Sequence, residues 1–266
     1  MKKIYTALVE GIRSSLSSNG FSSALLGLSG GLDSALVATL AREALGKENV
    51  WGVFMPSPYS STESREDAKE LAQNLGIRYD MVPISNCFQT LKKELAPIFG
   101  SSPEGLTEEN MQARLRGIIL MSLSNKFGGM VLTTGNKSEV SVGYCTLYGD
   151  TCGGLSVLKD LYKTEAYKLS YWINEHFDKP VIPIRTLTRS PSAELRPNQT
   201  DQDSLPPYEV LDAILKLYLE KKKTQDEVIQ AGFEPSVVKR VLGLVNKNKY
   251  KQMQIPPGLP LRHLID

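Results

Sequence analysis

The chain has 266 residues, 41% of them hydrophobic, enough for one large core in a single α/β domain. Thirty-one basic against 29 acidic residues leave a formal charge of +2, far from the basic excess of a protein that grips a nucleic-acid backbone, so no nucleic-acid partner is expected. No apolar run approaches the roughly 20 residues of a bilayer span, Glu10 and Arg13 interrupt the apolar residues of the N-terminus where a signal peptide is continuous, and the three cysteines (Cys87, Cys145, Cys152) are odd in number and lack zinc-ligand spacing, so a cytoplasmic protein with no membrane partner is expected.

In chain order, residues 1–15 read as an amphipathic helix, and the apolar run 24–28 as a buried strand opening onto a helix-period stretch, 35–45. Further strands are predicted over 50–55, 79–84 and 130–133. Between them lie predicted helices over 64–75, 86–99 and 107–127, stopped by Gly76, by Gly100 and by Gly128 with Gly129. This alternation predicts an α/β core over residues 1–180, a parallel sheet with right-handed crossovers and helices on both faces. Residues 181–207, rich in Pro, Ser, Thr and Asn and long for a plain connection, read as a mobile loop. Residues 208–266 form a small helical C-terminal appendage, with helices expected over 208–220, 225–231 and 235–245. The lysine clusters at 221–223 and 247–251 fit either an anionic partner or solvated helix ends.

The most chemically specific stretch is LSGGLDS, residues 28–34, which joins the first strand to a helix. A glycine turn followed at once by a helix start gathers backbone N–H groups and the positive end of the helix dipole, and Gly30 and Gly31 let an anion approach closely. The string lacks the lysine of G-x-x-x-x-G-K-[ST] and the spacing of G-x-G-x-x-G. It carries Asp33 instead, which repels phosphate unless a divalent cation stands between them, so Mg²⁺ bridging Asp33 to pyrophosphate oxygens is expected. Ser29 and Ser34 offer hydroxyl donors. Without a ligand, the same residues make a plain strand-to-helix turn with Asp33 as a first-turn acid. Ligands of parallel sheets sit beyond the strand C-termini, where this turn falls. The loop Pro56, Pro58, Tyr59, Ser60 and Ser61 shares that edge, either to take an adenine ring or as a plain connection.

LSGGLDS resembles the pyrophosphate loop of the ATP pyrophosphatases, which adenylate a substrate and release pyrophosphate. Together with NMQARLR (110–116), TTGNKSE (133–139), YGD (148–150) and KDLYKTE (159–165), it looks like the NAD synthetase family. PSAELRPNQTDQDSLPPYE (191–209) and IPPG (255–258) are most similar to the synthetase portion of the glutamine-dependent members. The resemblance implies the three-layer, Rossmann-like fold of the adenine nucleotide alpha-hydrolases and an ATP-dependent carbon–nitrogen ligase acting on nicotinic acid adenine dinucleotide (deamido-NAD). Its carboxylate attacks the α-phosphorus of ATP, pyrophosphate leaves, and ammonia displaces AMP from the acyl adenylate. The protein's task is then placement and charge neutralisation.

By matching position, the resemblance implies that Gly27, Leu28, Ser29, Gly30, Gly31, Leu32, Asp33 and Ser34 cradle the triphosphate, that Thr134 and Ser192 contact ATP, and that Lys163 neutralises phosphate charge as pyrophosphate departs. Asp33 and Glu139 would hold Mg²⁺. Asn110, Arg114, Glu139, Asp150, Tyr250 and Lys251 would meet deamido-NAD, Asp150 as the carboxylate that accepts the N–H groups of ammonia. Arg114 and Arg116 also fit as helix residues paired with acids, Asp150 as a turn aspartate, and Lys163 by itself as an exposed lysine. His176 and His263 fall outside every motif, so histidine catalysis is not expected, and Cys145 and Cys152 read as packing residues.

Two positions depart from the ammonia-using branch, which typically has a lysine where Leu147 stands and an acid where Gly154 stands. Only 23 residues precede the first predicted strand, so no glutaminase domain is expected, and nitrogen would come from free ammonia or a separate glutaminase. The resemblance also implies a homodimer joined through the long helix at 107–127. Other functions compatible with the loop alone are a GMP-synthetase-like or tRNA-modifying ATP pyrophosphatase and a non-catalytic nucleotide-binding module.

Overall fold

The computed structural model describes residues 1–265; Asp266, the last residue of the expected C-terminal appendage, lies outside the described residues. In chain order the elements are α1 (Lys2–Ser18), β1 (Ala24–Gly27), α2 (Leu32–Leu45), β2 (Val50–Phe54), α3 (Thr62–Leu75), β3 (Arg78–Met81), α4 (Ser85–Phe99), α5 (Leu106–Phe127), β4 (Met130–Thr133), α6 (Lys137–Val142), β5 (Leu155–Ser156), α7 (Lys163–His176), α8 (Ile184–Thr188), α9 (Tyr208–Leu215), α10 (Gln225–Gln230), α11 (Pro235–Lys247), α12 (Lys249–Gln252) and α13 (Arg262–Ile265). The strands form one parallel sheet in the order β3-β2-β1-β4-β5.

Strand alternation explains the layers. In β1, Ala24 and Leu26 join a core made with α1, α2, α3 and α7, whereas Leu25 points the other way and packs with Val53, Leu120 and Val131 beneath α5. Helices therefore cover both faces, as the α/β expectation has it. Helix α1 buries Ile4, Leu8, Ile12 and Leu16 on one stripe, and α2 is buried almost all round because it lies between the sheet and α1. A further apolar cluster joins α6 to the C-terminal helices through Val142, Leu211, Leu215, Val241 and Val245.

The boundaries differ from expectation where local chemistry intervenes. Strand β3 is shorter than 79–84 because Pro83 has no N–H for the ladder and Ser85 already begins α4. The expected helix 208–220 is α-helical only to Leu215, after which Lys216–Glu220 widens into a π turn closed by the Lys221 N–H on the Lys216 carbonyl. Strand β5 has two residues, too few to show a period, and was not foreseen; neither were α6, α7 and α8. Residues 181–207, read as loop, contain α8 and a 3-10 turn at Asp201–Asp203. The C-terminal edge of the sheet faces a cleft of about 550 Å³.

Candidate active site

The turn after β1 is built as the glycines require. Gly30 has φ +81°, and a Cβ there would lie 2.4 Å from the Ser64 carbonyl oxygen, so only glycine fits. The two serines brace the turn internally: Ser34 Oγ accepts from the Ser29 N–H (3.1 Å) and donates to the Gly31 carbonyl (3.0 Å), while Ser29 Oγ accepts from the Gly31 N–H (3.2 Å). Helix α2 starts at Gly31 with no side-chain cap. Its first-turn donors are thereby left to solvent or to a ligand.

Asp33, in that first turn, meets two residues from remote parts of the chain. Lys163 Nζ, at the start of α7, pairs with Asp33 Oδ2 and lies 3.2 Å from Glu139 Oε1 on α6. Asn136 Nδ2 donates to Asp33 Oδ1 (3.3 Å), while its Oδ1 accepts from the Glu139 N–H (3.1 Å), capping α6. The Tyr208 hydroxyl donates to Asp201 Oδ2 (2.7 Å) and lies 3.3 Å from Glu139 Oε1; Tyr144 donates to Asp201 Oδ1 (3.2 Å). Burial works against the Lys163 charge, but Asp33 and Glu139 outweigh it and hold the ammonium above its ordinary range. Burial, with Asp33 and Asp201 nearby, raises the Glu139 carboxyl above its ordinary range against the pull of Lys163.

Lys163 is 4% exposed, so the exposed-lysine alternative is overturned. It is seated by the buried Asp212, whose Oδ2 accepts from the Thr164 N–H (2.9 Å) and whose Oδ1 accepts from Ser138 Oγ; that hydroxyl in turn accepts the Lys163 N–H (2.9 Å). One carboxylate thus locks the N-terminus of α7 to α6.

Most expected residues line the one cleft: Gly27, Leu28, Ser29, Gly31, Leu32, Asp33, Ser34, Asn110, Thr134, Glu139, Asp150, Lys163, Ser192 and Lys251. Three do not. Gly30 lies beneath the turn, its carbonyl accepting from Thr186 Oγ1 and Arg189 Nη2 at 3.3 Å each. Arg114 is exposed and donates to the Leu147 carbonyl (3.2 Å), and Tyr250 is 54% exposed on α12. Arg116, not Arg114, is the arginine of α5 that lines the cleft, because Glu109, Ala113, Arg116 and Leu120 share one side of α5 at helical spacing. The sequence shows that these positions share a face, and only the packed helix shows that this face is the one on the cleft.

Asp150 is an exposed residue whose carboxylate accepts from the Thr146 N–H (2.7 Å); the protein packed around its oxygens pushes the carboxyl up, to about 6, and the solvent it faces limits that rise. Thr146 also donates to Asn110 Oδ1 (2.7 Å), so the turn before Asp150 is tied to α5. Cys145 and Cys152 line the cleft rather than the core; burial pushes the Cys145 thiol up to about 12 and raises that of Cys152, which leaves both poor nucleophiles. An acid at Gly154 has no room, since its Cβ would sit 2.9 Å from Met130 Cγ. Ser60, from the loop at 56–61, reaches the same cleft.

Asp201, Tyr144 and Tyr208 were not singled out from the sequence, because nothing local marks them; Asn136 was missed although Asn136 and Glu139 have the spacing of a capping box. Glu194 was also missed. Its carboxylate accepts from the Ser61 N–H (3.1 Å), Ser61 Oγ (2.7 Å) and Ser64 Oγ (2.8 Å), pinning the 189–205 segment over the cleft.

The donor set suits Mg²⁺. Asp33 and Glu139 converge on a single point, marked by Lys163 Nζ, and no cluster of three or more potential ligands stands among the described residues. Two hard oxygen donors with the rest left to phosphate and water is the arrangement Mg²⁺ favours.

The NAD synthase family model matches residues 4–255. A glutamine-dependent NAD(+) synthetase from Synechocystis sp. is 52% identical over 258 residues, which is 97% of this chain and 46% of that protein. Among solved structures, a glutamine-dependent NAD+ synthetase from Acinetobacter baumannii in complex with adenosine diphosphate is 47% identical (TM-score 0.70, 96% of this chain, 46% of that one). An NH3-dependent NAD synthetase from Campylobacter jejuni is 29% identical (TM-score 0.75, 96% of this chain, 97% of that one). The chain spans about half the length of the curated relatives it matches. With a family match across nearly its whole length and a parallel-sheet fold shared with those structures, the chain belongs to the NAD synthase family.

Proposed function

We propose that this chain catalyses the ATP-dependent amidation of deamido-NAD to NAD through an acyl adenylate, releasing AMP and pyrophosphate. The observation that carries this reading is the meeting of Lys163 with Asp33 and Glu139 beside an uncapped helix start. A carboxylate resists a nucleophile until its oxygen becomes part of a good leaving group, and adenylation supplies that. The turn at 28–34 and the α2 N-terminus bind the triphosphate, and Lys163 takes up negative charge as pyrophosphate leaves. Mg²⁺, held by Asp33 and Glu139, supplies neutralisation of the phosphate oxygens. Asn110 and Lys251 meet the dinucleotide, Thr134 and Ser192 the ATP. Asp150, ionised above about pH 6, accepts the N–H groups of ammonia.

The nitrogen donor is ammonia. Incubation with deamido-NAD, ATP, Mg²⁺ and ammonium yields NAD, AMP and pyrophosphate in equal amounts; ADP as product, or no NAD, defeats the reading. Two copies pair through α5, whose Leu106 (72%), Ile118 (62%) and Phe127 (63%) are exposed. Light scattering on Ile118→Glu then shows a lower mass than wild type. The free cysteines suit a reducing cytoplasm. No helix among the described residues is long and apolar enough to cross a membrane.

A further inference from the structure

Four cationic side chains line the cleft: Lys163, Lys251, Arg189 and Arg116. Three of them also have partners within the protein. Lys163 pairs with Asp33 and Glu139; Lys251 Nζ donates to the carbonyls of Gly143 (2.8 Å) and Cys145 (2.7 Å). Arg189 donates to the Gly30 carbonyl and Ser61 Oγ, with carboxylates of Asp67 and Glu194 each 3.9 Å away.

Arg116 is different. Its Nε donates to the Met55 carbonyl at 3.0 Å, which fixes the guanidinium plane, and among the described residues neither Nη has a hydrogen-bond acceptor or an ion-pair partner. Desolvation lowers the group to about 10, with only Glu194 acting to hold the charge. Arg116 is half-buried and lines the cleft, so a guanidinium fork with no protein acceptor is available to a ligand there. Its anchor places it beside the turn: Met55 follows β2, and the Met55 Cε methyl lies 3.2 Å from where a Cβ on Gly27 would stand, at the end of β1.

We propose that Arg116 presents its two free Nη groups to a phosphate oxygen of a bound nucleotide, of ATP or of the dinucleotide. Two parallel N–H donors on a fixed plane match two oxygens of one phosphate. Lys163, Lys251 and Arg189 share their donors with acceptors of the protein, whereas both Nη groups of Arg116 are unshared. This assignment rests on the synthetase reading for the identity of the ligands, but its test requires no turnover.

Equilibrium titrations of ATP with Mg²⁺, of deamido-NAD and of adenosine compare wild type with Arg116→Ala and Arg116→Lys. The alanine variant binds one of the two phosphate-bearing ligands about tenfold more weakly or worse, and the lysine variant recovers only part of the loss, because it keeps the charge and not the fork. Adenosine binds all three proteins equally. The ligand that weakens identifies whose phosphate is met. Unchanged affinity for both phosphate-bearing ligands overturns the proposal, as does an equal loss for adenosine, which marks a packing role. Arg116→Met keeps the stem if the alanine variant does not fold. A wild-type protein that binds both ligands but makes no NAD defeats the synthetase reading and leaves the Arg116 result intact; one that binds neither overturns both.

Discussion

The Glu194 carboxylate accepts a hydrogen bond from Ser61 Oγ at 2.7 Å across 133 positions of sequence, joining the segment before α9 to the N-cap of α3. Ser61 and Ser64 meet the same carboxylate, so one side chain gathers three hydrogen bonds that tie a proline-rich stretch with little periodicity to α3.

Replacing Glu194 with alanine removes these bonds without emptying a core. Trypsin then cuts after Arg189 faster than in wild type, while the melting temperature falls by only the equivalent of about 1–2 kcal/mol. Equal cutting rates would mean that the segment is held by Gln112 and Gln199 instead, through Gln112 Nε2 to the Leu195 carbonyl (2.8 Å) and Gln199 Nε2 to Glu109 Oε2 on α5 (3.4 Å).

Lys163→Met leaves Asp33 and Glu139 facing each other with no cation, both only about 15% exposed at the side chain. Loss of one partner from a buried ion cluster costs about 3 kcal/mol. Chemical denaturation in EDTA measures this. Adding Mg²⁺ raises the melting temperature of the variant more than that of wild type, because the metal replaces the lost charge between the two acids. No difference between the proteins would count against Asp33 and Glu139 as the metal pair.

Gly30→Ala meets both obstacles at once, a φ of +81° and a backbone oxygen 2.4 Å from the new Cβ. A contact with backbone does not relax by rotamer change, so the expected cost is about 1–3 kcal/mol. ATP binding is lost while the folded protein persists at low temperature; calorimetric titration and circular dichroism on the same sample separate the two.

The raised Asp150 pKa has a definite sign in stability. In the unfolded chain the carboxyl titrates near 3.8 and in the folded protein near 6, so between these values the folded state holds more protons and stability falls as pH rises through that window. Above about pH 6 the penalty is complete and constant. Asp150→Asn lacks this titration, so the difference in melting temperature, variant minus wild type, rises between pH 4 and 6 and then levels. A flat difference would show that cleft water keeps the carboxylate at its ordinary value.

How much was legible from sequence depended on whether the signal was local. The glycine turn of residues 28–34 needs a particular backbone conformation and a helix start immediately after it, both encoded within seven residues, and the structure places it at the end of β1 as expected. Stop signals at Gly76, Gly100 and Gly128 act on the preceding turn and located three helix ends. Where Pro83 shortened β3, or where β5 offered only two residues, the period was too brief to read.

Sequence by itself determined the alternation of strand and helix, the anion-seeking turn and the residue types able to hold phosphate and metal, because these follow from backbone preferences and side-chain chemistry over a few neighbours. Only the tertiary structure decided that Lys163 is buried between two acids, that Arg116 and not Arg114 faces the cleft, that Tyr250 stands outside it, and that Asp201 reaches Glu139 through Tyr208. Burial and pairing at these positions arise from contacts between segments tens to more than a hundred residues apart, and such contacts exist only once the sheet has brought its strand ends to one edge.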